Sequence, residues 1–171
     1  MFTVERQIEI DAGHRVPDHH SKCKHLHGHR YRIVAVMAGH HVVNAQEHRS
    51  DSGMVRDFGD IKRVLMEQIH DKFDHKLILW DQDPLLDPDI WAGDGHLFDA
   101  FERVGISAGL VQIPVIPTAE CLAEYWSSLV APLLTQDDHW LYALDVHETP
   151  NCKATYYVQS FDTRGDNAEK R

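Results

Sequence analysis

Three histidines lie at spacings that suit a single metal ion. His27 and His29 are two residues apart and precede an alternating run of polar and apolar residues at 30–37. Side chains two residues apart on a strand point to the same face of a sheet, so both imidazoles can reach one ion. His14 ends an earlier alternating segment and returns beside them if the two segments pair as a hairpin. Three neutral imidazoles with a fourth position open describe a catalytic zinc site rather than a structural one.

A histidine-rich loop exposed to solvent is the simpler alternative. His19, His20 and His25 crowd the same stretch, and a lone His-x-His motif is weak evidence for a metal. The composite pattern is stronger, because Cys23 precedes the His-x-His by four residues and a strand pattern follows it. We therefore predict a Zn²⁺ site whose ligands are His14, His27 and His29, and we assign no metal to the other three histidines.

Cys23 and the pair Asp74-His75 are the candidates for acid–base or nucleophilic chemistry. Cys23 could be a fourth zinc ligand, a nucleophile or a proton carrier. Asp74-His75 follows a predicted helix and offers an imidazole that its acidic neighbour can orient and charge. Together these groups can move protons at a substrate carbon. Two other classes stay open: a metal-independent Cys-His hydrolase that uses Cys23 and His75 through an acyl-enzyme, and a non-catalytic metal-binding module.

Glu148 and the segment from Thr118 to Glu120 are weaker candidates for substrate binding. Glu148 ends a predicted strand, where its carboxylate could accept two hydrogen bonds from the N–H and NH₂ of a guanine-like ring. On the sequence alone, an exposed acid at a strand end is the simpler interpretation. Thr118 is a plausible helix N-cap, and Glu120 lies in the first turn, where an acid also favours the helix dipole.

Composition and charge restrict the class of protein. The chain has 171 residues, enough for one domain, and a net charge of −10, which argues against general nucleic-acid binding. We expect no membrane segment and no signal peptide. Three unpaired cysteines favour a reducing, cytoplasmic compartment. Residues 15–32 carry one acid and five basic side chains: Arg15, Lys22, Lys24, Arg30 and Arg32. These basic side chains are either ordinary surface charge or a means of attracting an anionic substrate.

The order of periodic segments predicts an α+β fold. Strand patterns cover 2–10, 30–38, 140–148 and 153–160, and helix patterns cover 59–73 and 118–131, with Pro132 at the second helix's end. The order ββααββ predicts a four-stranded antiparallel sheet with two main helices on one face. Residues 81–117, with four prolines and a possible short helix from Leu97, form an insertion, either a lid or interface element or a tolerated surface loop. We expect residues 1–171 to form one domain, with a flexible tail after 160.

Six short motifs, taken in order, resemble the family of 6-pyruvoyltetrahydropterin and 6-carboxytetrahydropterin synthases. They span nearly the whole chain, except the stretch at 81–113 and the tail: Ala12-Gly13-His14, Cys23-x-x-x-His27-Gly28-His29, Gly53-Met54-Val55-x-Asp57-Phe58, Asp74-His75, Pro117-Thr118-x-Glu120 and Glu148-Thr149. Three residues separate Cys23 from His27, as in the carboxy branch, whereas the pyruvoyl branch usually has five. The resemblance therefore favours the carboxy branch.

This resemblance implies a reaction and a role for each residue. It implies conversion of 7,8-dihydroneopterin triphosphate to 6-carboxytetrahydropterin, acetaldehyde and triphosphate, in 7-deazaguanine (queuosine) biosynthesis, with the pyruvoyl product as the alternative. The three histidines would bind zinc, Cys23 would abstract a proton, Asp74 and His75 would complete the relay, and Glu148 would anchor the pterin.

The resemblance also implies the tunnelling fold. In that fold, subunits join their sheets into barrels, commonly as hexamers, and the active sites lie between subunits. The stretch at 81–113 is longer than the short connection of compact members, a difference that bears on the oligomer or the pocket mouth more than on the chemistry.

Overall fold

A six-stranded mixed sheet organises the chain. The computed structural model describes residues 1–47, 49–87, 89 and 97–158. The strands are β1 (Phe2–His14), β2 (His27–Gly39), β3 (Leu77–Trp80), β4 (Leu110–Ile113), β5 (His139–Thr149) and β6 (Cys152–Tyr157). Their order across the sheet is β4-β3-β1-β2-β5-β6. The α-helices are α1 (Phe58–Leu65), α2 (Asp71–Phe73), α3 (Leu97–Arg103) and α4 (Ala119–Leu134).

The antiparallel pair β1–β2 forms the centre of the sheet. Its register runs without a break from Phe2 opposite Gly39 to His14 opposite His27. Alternation along both strands sends one set of side chains into the core, where Ile10, Tyr31 and Ile33 are almost fully buried. Both strands are longer than the sequence patterns indicate, so the three predicted ligands lie within strands rather than in the loop between them.

Two helical segments cover this buried face. Asp57 caps α1 by accepting a hydrogen bond from Gly59 N–H at 2.6 Å. The helix continues through a π-helical turn (Met66–His70) into α2, and its apolar stripe is buried: Ile61, Val64, Leu65, Ile69 and Phe73. Thr118 caps α4 through a 3.3 Å hydrogen bond from Cys121 N–H.

Two predictions about these elements are wrong. Pro132 does not end the second helix, because α4 continues to Leu134. Proline removes one backbone hydrogen bond, but Val130 and Leu134 are fully buried on either side of it and hold the last turn in place. The sheet also has more than four strands, since β3 and β4 add a parallel pair beside the end of β1.

The added strands lie in or beside the stretch predicted as an insertion. β3 pairs with residues 13 and 14 of β1, and β4 pairs with β3. Leu79, Leu97 and Leu110 form a second, small apolar cluster there, and α3 confirms the predicted short helix. The other part of this stretch, residues 88 and 90–96, and the predicted tail after 160 lie outside the described residues. Within the described part of the chain, no helix has the length and apolarity needed to cross a membrane.

Candidate metal centre and active site

The hairpin register brings together the three histidines that the sequence predicts as metal ligands. His14 is directly opposite His27, and His29 is opposite Ala12. One potential ligand atom from each ring lies within 4.8 Å of the other two. The ring centroids of His14 and His27 are 4.5 Å apart, and each is 5.1 Å from that of His29. This is a compact three-imidazole cluster that can hold one metal ion.

Glycine at position 28 is required by the close approach of the two strands. A Cβ atom on Gly28 would lie 2.8 Å from the Ala12 carbonyl oxygen, which is closer than real Cβ contacts. Gly28 is paired with Gly13 across the hairpin. The spacing His27-Gly28-His29 therefore has a packing reason as well as a chemical one.

Backbone carbonyls orient two of the three rings. His14 Nδ1–H donates to the Pro117 carbonyl at 2.6 Å, and His27 Nδ1–H donates to the His25 carbonyl at 2.8 Å. Since a carbonyl only accepts, each Nε2 carries the lone pair. His14 Nε2 is buried and has no hydrogen-bond partner. A buried acceptor without a partner is unfavourable, and a metal ion would satisfy it.

Burial favours the neutral form, which binds metals, in His14 and His29. Burial is the main reason that the pKa of His14 falls to about 4, and the neighbouring His27 and His29 lower it further. The pKa of His29 is also lowered, mainly by burial, with Glu148 opposing the shift. Both rings are therefore neutral at neutral pH, as metal ligation requires. The donor set and the unpartnered Nε2 atom fit a zinc-like ion.

A pocket of about 690 Å³ opens onto the histidine cluster. Four other residues predicted for the site also line it: Cys23, Thr118, Glu120 and Glu148. They come from the loop between β1 and β2, the start of α4 and the end of β5. The volume lies within the range of roughly 300–1,000 Å³ that is usual for sites of drug-sized ligands. The structure thus brings seven of the nine predicted residues to one cavity.

Glu148 is partly buried and close to the histidine cluster. Its Oε1 lies 4.0 Å from His14 Nε2, and its side chain is 24% exposed. Tyr31 is fully buried nearby, and its hydroxyl has no hydrogen-bond partner. Burial, and then the charge of Glu148, raise the pKa of Tyr31. The interpretation of Glu148 as an ordinary exposed acid, which the sequence alone favours, does not fit this position.

Asp74 and His75 are not among the residues that line the pocket of their own chain. They interact with β1, where Asp11 N–H donates to Asp74 Oδ1 at 2.9 Å and His75 N–H donates to the Asp11 carbonyl at 2.7 Å. Asp74 Oδ2 accepts from His75 Nδ1–H at 2.7 Å, and the His75 side chain is 79% exposed. Burial alone would raise the pKa of Asp74, but the hydrogen bonds from Asp11 and His75 lower it overall.

Several pocket residues were not predicted from the sequence. His19 and His25, which we assigned no role, line the cavity, as do Cys152 and Lys153. The turn signal at residues 149–151 was the available clue to the last two, because a tight turn returns the chain beside Glu148. The structure pairs Thr149 with Cys152 there.

Comparisons with known proteins identify similar sequences and folds. Residues 3–159 match the family model described as 6-pyruvoyl tetrahydropterin synthase. A Rickettsia conorii protein named 6-carboxy-5,6,7,8-tetrahydropterin synthase is 33% identical over 154 residues, which cover 89% of this chain and 97% of that protein. An uncharacterised Wolinella succinogenes protein shares the fold at a TM-score of 0.72 and 22% identity, over 92% of this chain and 98% of the other.

A solved structure of a protein that is named for its enzyme activity has the same fold. The 6-pyruvoyl tetrahydropterin synthase of Caenorhabditis elegans superposes with a TM-score of 0.60 at 22% identity, covering 92% of this chain and 96% of that one. The family match extends over most of the chain and includes every residue predicted for the site. The chain therefore belongs to the 6-pyruvoyl tetrahydropterin synthase family.

Proposed function

We propose that this chain is a zinc-dependent lyase that converts 7,8-dihydroneopterin triphosphate to 6-carboxy-5,6,7,8-tetrahydropterin, acetaldehyde and triphosphate. The observation that carries the proposal is that the three histidines, Cys23 and Glu148 line the same pocket. The name of the Rickettsia relative and the three-residue spacing between Cys23 and His27 support the carboxy product. We assign the reaction to 7-deazaguanine (queuosine) biosynthesis in the cytoplasm.

His14, His27 and His29 would hold the zinc ion. When bound there, zinc supplies Lewis-acid polarisation to the hydroxyl and carbonyl oxygens of the substrate side chain. The protein's own contribution is to fix the ligands: the Pro117 and His25 carbonyls orient two rings, and burial keeps His14 neutral.

Cys23 is the proposed base that removes a proton from a side-chain carbon of the substrate. It lies in a short 3₁₀ helix (Lys22–Lys24), and its carbonyl accepts a hydrogen bond from Val16 N–H at 2.9 Å, which closes the loop. Its side chain is half-buried at the pocket wall and has lysines on both sides in sequence. This position is accessible to substrate, and the thiolate is the form that accepts a proton.

Asp74 and His75 are proposed to reach the pocket of a neighbouring subunit. They lie outside the pocket of their own chain, and the His75 ring projects into solvent while Asp74 orients it. We propose a homo-oligomer, a hexamer or another multiple of trimers, in which sheets join into barrels. Such an assembly could place His75 of one subunit beside Cys23 of the next, where the imidazole would relay the proton.

Glu148 is proposed to bind the pterin ring. Its carboxylate can accept hydrogen bonds from both the ring N–H and the NH₂ group, and partial burial strengthens these bonds. Thr118 and Glu120, at the start of α4, border the same cavity and are proposed to contact the substrate.

Mass spectrometry of the product tests the proposal. Zinc-loaded protein incubated with 7,8-dihydroneopterin triphosphate should yield 6-carboxytetrahydropterin and acetaldehyde. A 6-pyruvoyl product would assign the chain to the other branch of the family. Zinc uptake with no product of either kind would indicate the non-catalytic metal-binding module. Protein treated with a chelator and then reloaded with zinc provides the matched control.

A further inference from the structure

The basic side chains between residues 15 and 32 do not form one patch. Arg30 donates two hydrogen bonds of 2.9 Å to the Asp11 carboxylate, and the Arg32 guanidinium contacts the ring of His147. The Arg15 Nε atom lies 3.4 Å from the buried Asp83 carboxylate. These three guanidinium groups are therefore engaged by other residues, and none of them lines the pocket.

Lys22 alone among the five lines the pocket. It is exposed and makes no ion pair with any of the residues that the structure describes. Lys153 lines the pocket from the opposite hairpin, but its Nζ lies 2.7 Å from Asp145 Oδ2. The available positive charge at the cavity is thus carried by the loop that contains Cys23.

His19 adds a hydrogen-bond donor to the same loop. Ser21 N–H donates to His19 Nδ1 at 3.0 Å, so in the neutral ring the proton is on Nε2. The ring is exposed and lines the cavity, which leaves Nε2–H available to an acceptor. Backbone hydrogen bonds from His19 N–H to the Val16 carbonyl and from Val16 N–H to the Cys23 carbonyl hold the loop in this conformation.

The other walls of the pocket do not favour an anion. The start of α4 has Glu120 in its first turn, and the end of β5 has Glu148, so both carry a carboxylate that repels phosphate. The charges therefore divide the cavity into an acidic side, suited to the amino groups of a ring, and a cationic loop.

We infer that Lys22 and His19 form the subsite for the triphosphate chain of the substrate, an inference that rests on the proposed function. Lys22 supplies a point charge and His19 a directed N–H, which is a combination that suits a flexible polyphosphate. The subsite would orient the substrate so that its side chain spans the distance from Glu148 to the loop, past the three histidines.

Fluorescence titration with two unreactive oxidised analogues, neopterin and neopterin triphosphate, tests this subsite on the zinc-loaded protein. Wild type should bind the triphosphate more tightly than neopterin, with an advantage that shrinks as salt is added. Lys22→Ala should weaken binding of the triphosphate by about tenfold and leave neopterin affinity unchanged. Lys22→Arg, which keeps the charge, should retain most of the affinity.

Lys24→Ala is the matched control, because it removes the same charge from the same 3₁₀ helix at a position that does not line the pocket. It should have little effect on either ligand. The subsite would be overturned if Lys22→Ala and Lys24→Ala lost the same affinity for the triphosphate. It would also be overturned if Lys22→Ala weakened the binding of both ligands equally. Equal affinity of wild type for the two ligands would overturn it as well. Failure of wild type to bind either ligand would contradict the proposed function itself, and the subsite with it.

Discussion

His14 Nδ1 lies 2.6 Å from the carbonyl oxygen of Pro117, although the two residues are 103 positions apart in the chain. Pro117 directly precedes Thr118, the N-cap of α4, so this hydrogen bond joins a histidine of the candidate metal centre to the start of the helix that borders the pocket. The bond fixes the tautomer of His14 and leaves its buried Nε2 as the free acceptor. One contact thus couples the histidine cluster to the wall of the pocket formed by the start of α4.

Metal content is the most direct check on the histidine cluster. Purified protein should hold about one zinc ion per chain, and the double variant His27→Ala/His29→Ala should hold none, because one imidazole cannot retain the ion. Elemental analysis after dialysis measures this. His25→Ala is the control: the His25 side chain is replaced, but its backbone carbonyl still orients His27. Full occupancy in the double variant would exclude this cluster as the zinc site.

The histidine cluster could be predicted from sequence because its geometry depends on local rules. Two residues that are two apart on a strand share a face, and an uninterrupted hairpin register returns His14 to His27. Gly28 allows the close approach that this register needs. No contact from a distant segment is required to place the three rings on one face.

The strands β3 and β4 could not be recognised in the same way. Each has only four residues, and Leu-Ile-Leu-Trp at 77–80 is an apolar run without alternation, so its period does not separate a strand from a helix. Their parallel pairing depends on the position of β1, which is set by the rest of the fold. The partial burial of Glu148 was missed for a related reason, since it depends on His14 and Tyr31 in other strands.

Replacement of Cys23 separates catalysis from binding. Cys23→Ala should keep its zinc and bind substrate normally, yet lose about 10²–10⁴-fold in turnover, which is the usual contribution of a positioned acid–base group. Single-turnover kinetics with 7,8-dihydroneopterin triphosphate measure the loss. Cys152→Ala, at another cysteine that lines the pocket, should remain active. If Cys23→Ala stays within a few-fold of wild type, the cysteine is not the base.

The ion pair between Arg15 and Asp83 should stabilise the segment that follows β3. The Asp83 side chain is fully buried, its Oδ2 lies 3.4 Å from Arg15 Nε, and its Oδ1 accepts from Leu85 N–H. Asp83→Ala leaves a buried guanidinium without its partner and should lower the free energy of unfolding by about 3 kcal/mol. Urea denaturation measures this change.

The exposed pair Arg63–Glu67 gives the control for that measurement. Both of its side chains are about half exposed, so Glu67→Ala should lower the free energy of unfolding by less than about 1 kcal/mol. Similar decreases in the free energy of unfolding for Asp83→Ala and Glu67→Ala would show that burial of the Arg15–Asp83 pair adds nothing to stability.

Co-expression of two inactive variants tests whether the active site is shared between subunits. Cys23→Ala and His75→Ala should each be inactive alone. Random mixed oligomers should regain activity, because about one interface in four then combines an intact Cys23 with an intact His75. Differently tagged subunits allow the mixed species to be purified and assayed. Mixed oligomers that stay inactive would place both residues of a working site on the same chain.

Glu148→Gln tests recognition of the pterin ring. Gln keeps one carbonyl acceptor but replaces the other oxygen with an N–H donor, which would face a donor on the ring. The substitution removes the charge-assisted hydrogen bond and leaves a polar group unpaired. Together these effects should make the binding free energy less favourable by about 2–4 kcal/mol. Binding of a pterin analogue should therefore weaken by roughly 30-fold or more, at about 1.4 kcal/mol per decade.

The same substitution at the other acid of the pocket provides the comparison. Glu120 is exposed at the start of α4, so Glu120→Gln should weaken binding much less. Zinc content should stay the same in both variants, because neither residue belongs to the histidine cluster. Titration of one pterin analogue into wild type and the two variants decides the matter. If Glu148→Gln binds as tightly as wild type, the carboxylate near His14 does not recognise the ring, and the pterin assignment loses its main hydrogen-bonding group.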